Sequence, residues 1–265
     1  GGRIHLAAPL DRADLVRVLG GELVRAPHIA WDDERGDVVA EHQTRLGALV
    51  LKREPIREPS GQLLAEAWAQ AVAARGLELL PFTARIDEWR DRVAFARALS
   101  PDDWPDLSDE HLLRSTVDWL APHLHGIRRR KDLAALDLRA VLEAQLTWQQ
   151  QQELERVAPT HLTVPSGSSI RLAYGGGAGP MLAVRLQELF GLTETPTVGG
   201  GRVPVVLQLL SPAQRPVQVT TDLASFWRET YPQVKAELKG RYPKHHWPDD
   251  PLTAPPTNRT KKARG

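Results

Sequence analysis

The sequence contains no cysteine among its 265 residues. This absence excludes disulfide bonds, a thiolate nucleophile and any zinc or iron–sulfur site with cysteine ligands. No apolar run approaches the roughly 18–20 residues that a membrane-spanning helix needs, and the first residues lack the layout of a signal peptide. These features favour a cytoplasmic protein without a membrane partner. Because the chain does not begin with Met, we expect it to be an internal piece of a longer polypeptide.

Charge is distributed unevenly along an otherwise ordinary globular composition, which is 42% hydrophobic and 25% charged. Residues 1–159 contain 21 Lys and Arg against 26 Asp and Glu, whereas residues 160–265 contain 13 against 7. Long-range attraction to a polyanion is therefore expected in the C-terminal third. The alternative is chance variation in a mixed surface.

Hydrophobic periodicity predicts an α+β fold in four segments. Residues 1–58 are β-rich, with strands predicted at 4–8, 37–43 and 46–51 and a hairpin around the turn at 32–36, and they are expected to complete a sheet or barrel begun upstream or to pack on the next segment. Residues 59–158 form a helical domain and residues 159–250 a C-terminal α/β domain. Residues 251–265 contain three prolines and four basic residues without apolar periodicity, which predicts a disordered basic tail.

Residues typical of helix N-termini occur at several positions in the middle of the chain. Ser60, Thr83 and Ser108 are predicted N-caps, and Thr147 with Gln150 forms a predicted capping box. A further helix is predicted over 133–146, and a short helix over 11–23 in the first segment. Apolar residues spaced three and four apart predict that Trp68, Trp89 and Trp119 lie in the core.

The C-terminal segment combines short strands with helices. Strands are predicted at 161–165, 170–174, 203–210 and 217–221. The glycine loop Gly175–Gly179 is expected to lead into a helix from Pro180 to Gly191. Asp222 is expected to cap a helix that continues beyond Pro232.

Catalytic motifs are incomplete throughout. Gly175–Gly179 is not followed by the Lys of a phosphate-binding loop, and Pro180 lacks one backbone donor. Asp109-Glu110-His111 is placed in the first turn of a helix, where acidic residues suit the helix dipole. The histidine pairs at 123/125 and 245/246 lack a third metal ligand. We therefore expect no catalytic residue, cofactor or metal in this chain.

Cations alternate with aromatic rings over residues 226–247. The RNA-binding candidates in this stretch are Arg228, Lys239, Arg241, Tyr242, Lys244, His245 and Trp247. Guanidinium and ammonium groups contact phosphates and rings stack on unpaired bases, so the pattern is typical of single-stranded RNA binding. The alternative is that the rings anchor the last helix, which is favoured for Trp227. For the basic run Arg128–Lys131, solvated loop charge is favoured over phosphate contact.

Several ordered strings resemble one known family. They are Leu-Thr-Val-Pro-Ser-Gly-Ser (162–168), Leu-Ala-Val-Arg-Leu-Gln-Glu-Leu-Phe-Gly (182–191), Arg-Val-Pro-Val-Val-Leu-Gln-Leu-Leu-Ser-Pro-Ala (202–213), Arg-Pro-Val-Gln-Val-Thr-Thr-Asp-Leu-Ala-Ser-Phe-Trp (215–227) and Gly-Arg-Tyr-Pro-Lys-His-His-Trp-Pro (240–248). Together they resemble the C-terminal region of the HrpB family of bacterial DEAH-box ATP-dependent helicases. The resemblance implies a longer protein with two RecA-like motor domains that use ATP and Mg²⁺ to remodel RNA. It also implies that residues 1–58 lie at the end of an oligonucleotide-binding (OB)-like domain. None of the family's motor motifs has a counterpart in this sequence.

The resulting hypothesis is an accessory region of an ATP-dependent RNA helicase without the ATPase motor. It would bind single-stranded RNA or dock a protein partner, and the motor domains would be joined to it in the same polypeptide. The alternative is a protein-interaction platform that makes no contact with nucleic acid.

Overall fold

Two compact units make up the chain in its computed structural model, which describes residues 17, 18, 20–177 and 179–258. The first unit contains residues 1–82 and 109–141, and the second contains residues 83–108 and 142–265. The α+β class is confirmed. The predicted strand at 4–8 and most of the predicted helix at 11–23 lie outside the described residues. None of the described helices is both long and apolar enough to span a bilayer.

A three-stranded antiparallel sheet opens the first unit. Its strands are β1 (Leu23–Asp32), β2 (Asp37–Leu46) and β3 (Leu49–Pro55). The predicted hairpin is confirmed, since Asp32 pairs with Asp37 around the turn. The predicted strand over 46–51 is wrong in its bounds, because Leu46 ends β2 and Gly47, at φ +54°, makes a turn into β3. The end predicted for the first helix is also wrong, since Leu23 already belongs to β1.

Helix α1 (Gly61–Arg75) packs its apolar side into the core of the first unit. The Ser60 side chain accepts a hydrogen bond from the amide of Leu63, and Gly76 follows the last turn, as predicted. Trp68 is fully buried, and its ring meets Trp31 of β1 edge to face at 6.0 Å between centroids. The core role expected for this tryptophan is therefore confirmed.

The first unit also contains short helices, the last of which lies at the boundary of the unit. They are α3 (Asp109–Arg114), α4 (Thr116–Trp119), α5 (Arg130–Leu133) and α6 (Leu138–Glu143). The helix predicted after Ser108 is interrupted at Ser115, whose hydroxyl donates to the carbonyl of His111 at 2.7 Å and competes with the backbone ladder. The helix predicted over 133–146 is shortened to α6.

Two longer helices of the predicted helical domain belong instead to the second unit. They are α2 (Ala84–Leu99) and α7 (Trp148–Val157), and the predicted capping box of Thr147 and Gln150 is present at 2.7 and 3.2 Å. Arg92 of α2 donates to the carbonyl of Ala158 at 2.6 Å. The segment 59–158 is thus divided between the units, because these contacts tie α2 to residues far along the chain.

The second unit contains a five-stranded mixed sheet in the order β10-β9-β6-β5-β4. Its strands are β4 (His161–Thr163), β5 (Ser169–Ala173), β6 (Met181–Arg185), β9 (Val206–Leu210) and β10 (Pro216–Thr220). Strands β6 and β9 are parallel, and the other neighbours are antiparallel. A separate two-residue pair joins β7 (Thr197–Val198) to β8 (Val203–Pro204).

The helix predicted from Pro180 to Gly191 is wrong. Met181–Arg185 is strand β6, and a 3-10 turn covers Leu186–Leu189. Leu182 and Val184 are buried while Ala183 between them is exposed, which is the period of a strand. The glycine loop therefore joins two antiparallel strands, β5 and β6, and does not lead into a helix.

The last helical stretch begins after Asp222, whose side chain accepts from the amide of Ser225 at 2.9 Å, as predicted. It runs through α8 (Leu223–Ser225), a π-helical turn (Phe226–Thr230) and α9 (Tyr231–Arg241). The predicted disorder of the tail is wrong for 251–258. Gly191 donates to the carbonyl of Pro251 at 3.0 Å, and Thr257 donates to that of Gln187 at 2.9 Å. The remainder of the tail lies outside the described residues.

Candidate nucleic-acid interface

Aromatic side chains of the last helical stretch form an internal cluster. Trp227 lies 5.4 Å from Tyr231 and 6.1 Å from Phe190 between ring centroids, and all three rings are buried. The indole N–H of Trp227 donates to the carbonyl of Leu192 at 2.9 Å. The assignment of Trp227 to the core is confirmed, and this cluster fixes the side of the helix that faces the sheet.

Trp247 also lies in this core, with only 8% of its surface exposed. Its indole N–H donates to the carbonyl of Tyr242 at 2.9 Å, which closes the loop after α9. Tyr242 is half-buried and packs against the same core. The stacking of Trp247 on RNA bases predicted from the sequence is therefore incompatible with its position. The ring is needed to hold the loop in place.

The cations of this stretch remain at the surface. Lys239, Arg241 and Lys244 are exposed at the end of α9 and in the following loop. Arg241 has an exposed ion pair with Glu237 at 3.8 Å. Pairs of this kind contribute little and yield readily to a phosphate. We call Lys239, Arg241 and Lys244 the C-terminal cation group.

Arg228 lies in the π-helical turn that precedes α9. It is exposed, donates to the hydroxyl of Ser225 at 3.1 Å and lies 3.7 Å from Glu229. Its guanidinium therefore already has local partners. Lys235 is similarly engaged, because its ammonium pairs with Asp249, and this pairing lowers the pKa of the Asp249 carboxyl. Lys235 therefore adds little free positive charge to the surface, whereas Arg228 remains an exposed cation outside the C-terminal cation group.

His245 contributes little positive charge at neutral pH. Burial, and secondarily the nearby charge of Arg185, lower the pKa of its imidazole below the ordinary value of 6.5. The ring is half-buried and meets Tyr242 edge to face at 6.1 Å. His245 is therefore a neutral member of the loop, and of the predicted candidates only the Lys and Arg side chains supply charge.

A second cationic site, which the sequence did not reveal, lies in the first unit. A cavity of about 370 Å³ is lined by four arginines, together with the carboxylates of Asp37 and Glu41. The arginines are Arg35, Arg53, Arg128 and Arg129. Only the run at 128–131 was visible as a local pattern, because the other two arginines stand singly and far away in the sequence. We call this site the arginine pocket.

An unexpected feature of the second unit is Trp148, which is 76% exposed at the first turn of α7. Most tryptophans are largely buried in folded domains, and the apolar pattern of the sequence assigns no role to this one. The clue in the sequence is its place directly after the Thr147 cap, where a side chain need not face the core.

Two parts of this sequence match known protein families. Residues 119–251 match the family described as "ATP-dependent helicase C-terminal", and residues 26–56 match the connector region of the ATP-dependent RNA helicase HrpB. The fold and the matched regions together define the C-terminal region of an ATP-dependent helicase. The chain belongs to the HrpB family.

Individual relatives agree with this assignment. The ATP-dependent RNA helicase HrpB of Escherichia coli (strain K12) is 42% identical over 261 residues, which are 98% of this chain and 32% of that protein. The crystal structure of the E. coli DExH-box NTPase HrpB has a TM-score of 0.75 at 42% identity and covers 95% of this chain and 31% of its own. A structure of the E. coli DEAH/RHA helicase HrpB has a TM-score of 0.65 at 40% identity, over 85% and 29%. This chain thus spans about a third of the length of these relatives.

Proposed function

We propose that this chain is the accessory C-terminal region of an ATP-dependent RNA helicase and that it adds affinity for single-stranded RNA. The motor, with its ATP and Mg²⁺, would lie elsewhere in the same polypeptide. The E. coli relative bears the name of an ATP-dependent RNA helicase. The sequence present here holds no complete phosphate-binding loop, so its contribution would be binding rather than hydrolysis.

The observation that carries this proposal is the C-terminal cation group. Three cations, Lys239, Arg241 and Lys244, are exposed within six positions at the edge of a buried aromatic core. Only Arg241 among them has an ion pair in the described part of the chain, and that pair is long at 3.8 Å. A fixed row of weakly paired cations attracts phosphates without choosing among bases.

The expected binding mode is electrostatic. Trp247 is buried and Tyr242 half-buried, so base stacking contributes little. Cations that contact phosphates release counterions, and affinity for single strands should fall with salt by a logarithmic slope of about 0.7 per phosphate contacted. Binding should therefore be tolerant of sequence and steeply dependent on salt.

The test measures fluorescence anisotropy of a labelled single-stranded RNA at several salt concentrations. We expect the double variant Arg241→Ala/Lys244→Ala to flatten the salt slope by about one to one and a half units. The matched control, Arg114→Ala/Arg215→Ala, removes two exposed cations elsewhere and should leave the slope unchanged. Failure of the unmodified chain to bind RNA at low salt would refute the proposal.

A second candidate function is docking of a protein partner, including the motor domains of the same polypeptide. The observation that favours it is the exposed ring of Trp148, because exposed tryptophans are enriched where proteins bind one another. Titration of the chain with a separately produced HrpB motor portion, followed by calorimetry, tests this candidate. Trp148→Gln should weaken binding, and an unchanged affinity would eliminate Trp148 as the docking residue.

A further inference from the structure

The arginine pocket brings together cations from three separate segments. Arg35 lies in the turn between β1 and β2, Arg53 on β3, and Arg128 and Arg129 in the run that precedes α5. The rest of the lining is Val38, Val39, Ala40 and Pro55 with the two carboxylates. Four guanidinium groups at one cavity of about 370 Å³ repel one another unless anions balance them.

The two carboxylates of the pocket are already engaged. Glu41 is only 3% exposed and accepts from the guanidinium of Arg53 at 2.9 Å and from the side-chain amide of Gln43 at 2.6 Å. Asp37 accepts from two backbone amides, those of Val38 at 2.9 Å and Arg130 at 3.1 Å. The charge of Glu41 is therefore compensated by Arg53, and the carboxylate of Asp37 is used in hydrogen bonds to backbone amides.

Three arginines of the pocket are left without such a partner. Within the described ranges, no carboxylate lies at ion-pair distance from the guanidinium groups of Arg35, Arg128 or Arg129. Arg130 and Lys131 next to them are also exposed. The pocket and its rim therefore carry an excess of positive charge.

The backbone of the basic run is held so that this charge stays at the pocket. Asp132 accepts from the amides of Arg129 at 3.0 Å and Arg128 at 3.2 Å, and Asp37 of β2 accepts from that of Arg130. The bond from Arg130 to Asp37 fastens the run to the sheet, and the two bonds to Asp132 fix the turn before α5. The side chains of the run are exposed, as expected for solvated loop charge, while these backbone bonds fix where that charge lies.

We propose that the arginine pocket binds phosphate groups of a single-stranded RNA. This proposal rests on the RNA binding proposed above and adds a separate site to it. Guanidinium groups offer paired donors that match phosphate oxygens. The lining contains no aromatic ring on which a base could stack, so the contacts are to the backbone and independent of sequence. The exposed Arg130 and Lys131 extend the positive surface beyond the cavity, which fits a strand rather than a single nucleotide.

The experiment uses the full chain and the double variant Arg128→Ala/Arg129→Ala, which leaves the bond between Arg53 and Glu41 intact. Anisotropy of a labelled oligo(U) strand is measured across a salt series. We expect weaker binding and a salt slope flatter by about one to one and a half units, corresponding to two lost phosphate contacts. The matched control is Arg25→Ala/Arg114→Ala, two exposed cations of the same unit outside the pocket. Thermal melting verifies that both variants fold.

The outcomes separate this site from the general function. If Arg128→Ala/Arg129→Ala behaves like its control while Arg241→Ala/Lys244→Ala loses affinity, the pocket proposal is overturned and the proposed function stands. If the unmodified chain binds no RNA, both fail. A labelled oligo(Glu) probe is run in parallel. Tighter binding of this peptide than of RNA, lost in the pocket variant, would overturn the assignment of RNA as the ligand.

Discussion

The arginine pocket and the C-terminal cation group assemble positive charge in opposite ways. The C-terminal group comes from six consecutive positions and is held at the surface by an aromatic core beneath it. The pocket gathers arginines from three segments around a buried Glu41. A local pattern of charge therefore identifies an exposed cationic surface, but it does not tell whether the neighbouring rings are exposed or buried. Arginines that stand singly in the sequence and meet only in the folded unit leave no local pattern.

The largest expected effect concerns the ring beneath the C-terminal group. Trp247→Ala should destabilise the protein by about 3–5 kcal/mol, because it empties a buried site. Trp148→Ala, which removes an exposed ring, should change stability by less than about 0.5 kcal/mol. Urea unfolding compares the two. Unchanged stability of Trp247→Ala together with weakened RNA binding would mean that the ring stacks on bases after all.

The next effect concerns the buried carboxylate of the pocket. Glu41→Ala should cost about 1–3 kcal/mol, because the donors of Gln43 and Arg53 lose a charged acceptor. Glu54→Ala removes a partly exposed carboxylate that pairs with Lys52 at 2.7 Å and with Arg25 at 3.4 Å, and it should change stability by less than about 0.5 kcal/mol. Thermal melting provides the measurement. Equal effects of the two substitutions would show that Glu41 does not organise the pocket.

A smaller loss of stability is expected when the N-cap of α7 is removed. Thr147→Ala removes the cap of α7 and should destabilise the second unit by about 1 kcal/mol. The corresponding decrease in melting temperature is about 2–4 °C. Thr193→Ala, at an exposed loop position, is the control and should melt like the unmodified chain. An unchanged melting temperature for Thr147→Ala would show that the neighbouring packing, not the cap, sets the start of α7.

His245 should give a weak dependence on pH. Because its pKa is lowered in the folded state, the unfolded chain binds the proton more readily below about pH 6.5, and stability should fall between about pH 7 and pH 5. His245→Gln should lessen this loss. RNA affinity near pH 7.5 should be unaffected by the substitution, and a marked decrease there would mean that the ring contacts RNA while neutral.

The smallest expected effect is that of nucleotide. Mg-ATP should not raise the melting temperature of the chain, because the loop at 175–179 has no Lys and joins two strands. A ligand at 100 times its dissociation constant would add about 2.7 kcal/mol of stability. A saturable increase, reproduced with a non-hydrolysable analogue, would reveal a nucleotide site that neither the sequence nor the fold indicates.

Short-range signals in the sequence were sufficient for much of the fold. Ser60, Thr83, Thr147 and Asp222 cap helices as predicted, because an N-cap is satisfied within three residues of itself. The hairpin at 32–37 follows from its turn for the same reason. The candidate cations were also found correctly as exposed groups, since long charged side chains avoid burial.

Tertiary structure decided what depends on partners far along the chain. Residues 181–185 became a strand because β9 lies beside them, and residues 251–258 became ordered because Gly191 and Gln187 supply hydrogen-bond partners. The apolar ring of Trp247 is buried in the core of the second unit. Arg35 lines the same cavity as Arg128, although more than 90 residues separate them in the sequence. The physical reason is that the burial of apolar surface and the pairing of strands are properties of the assembled unit, whereas caps and turns are properties of a few neighbouring residues.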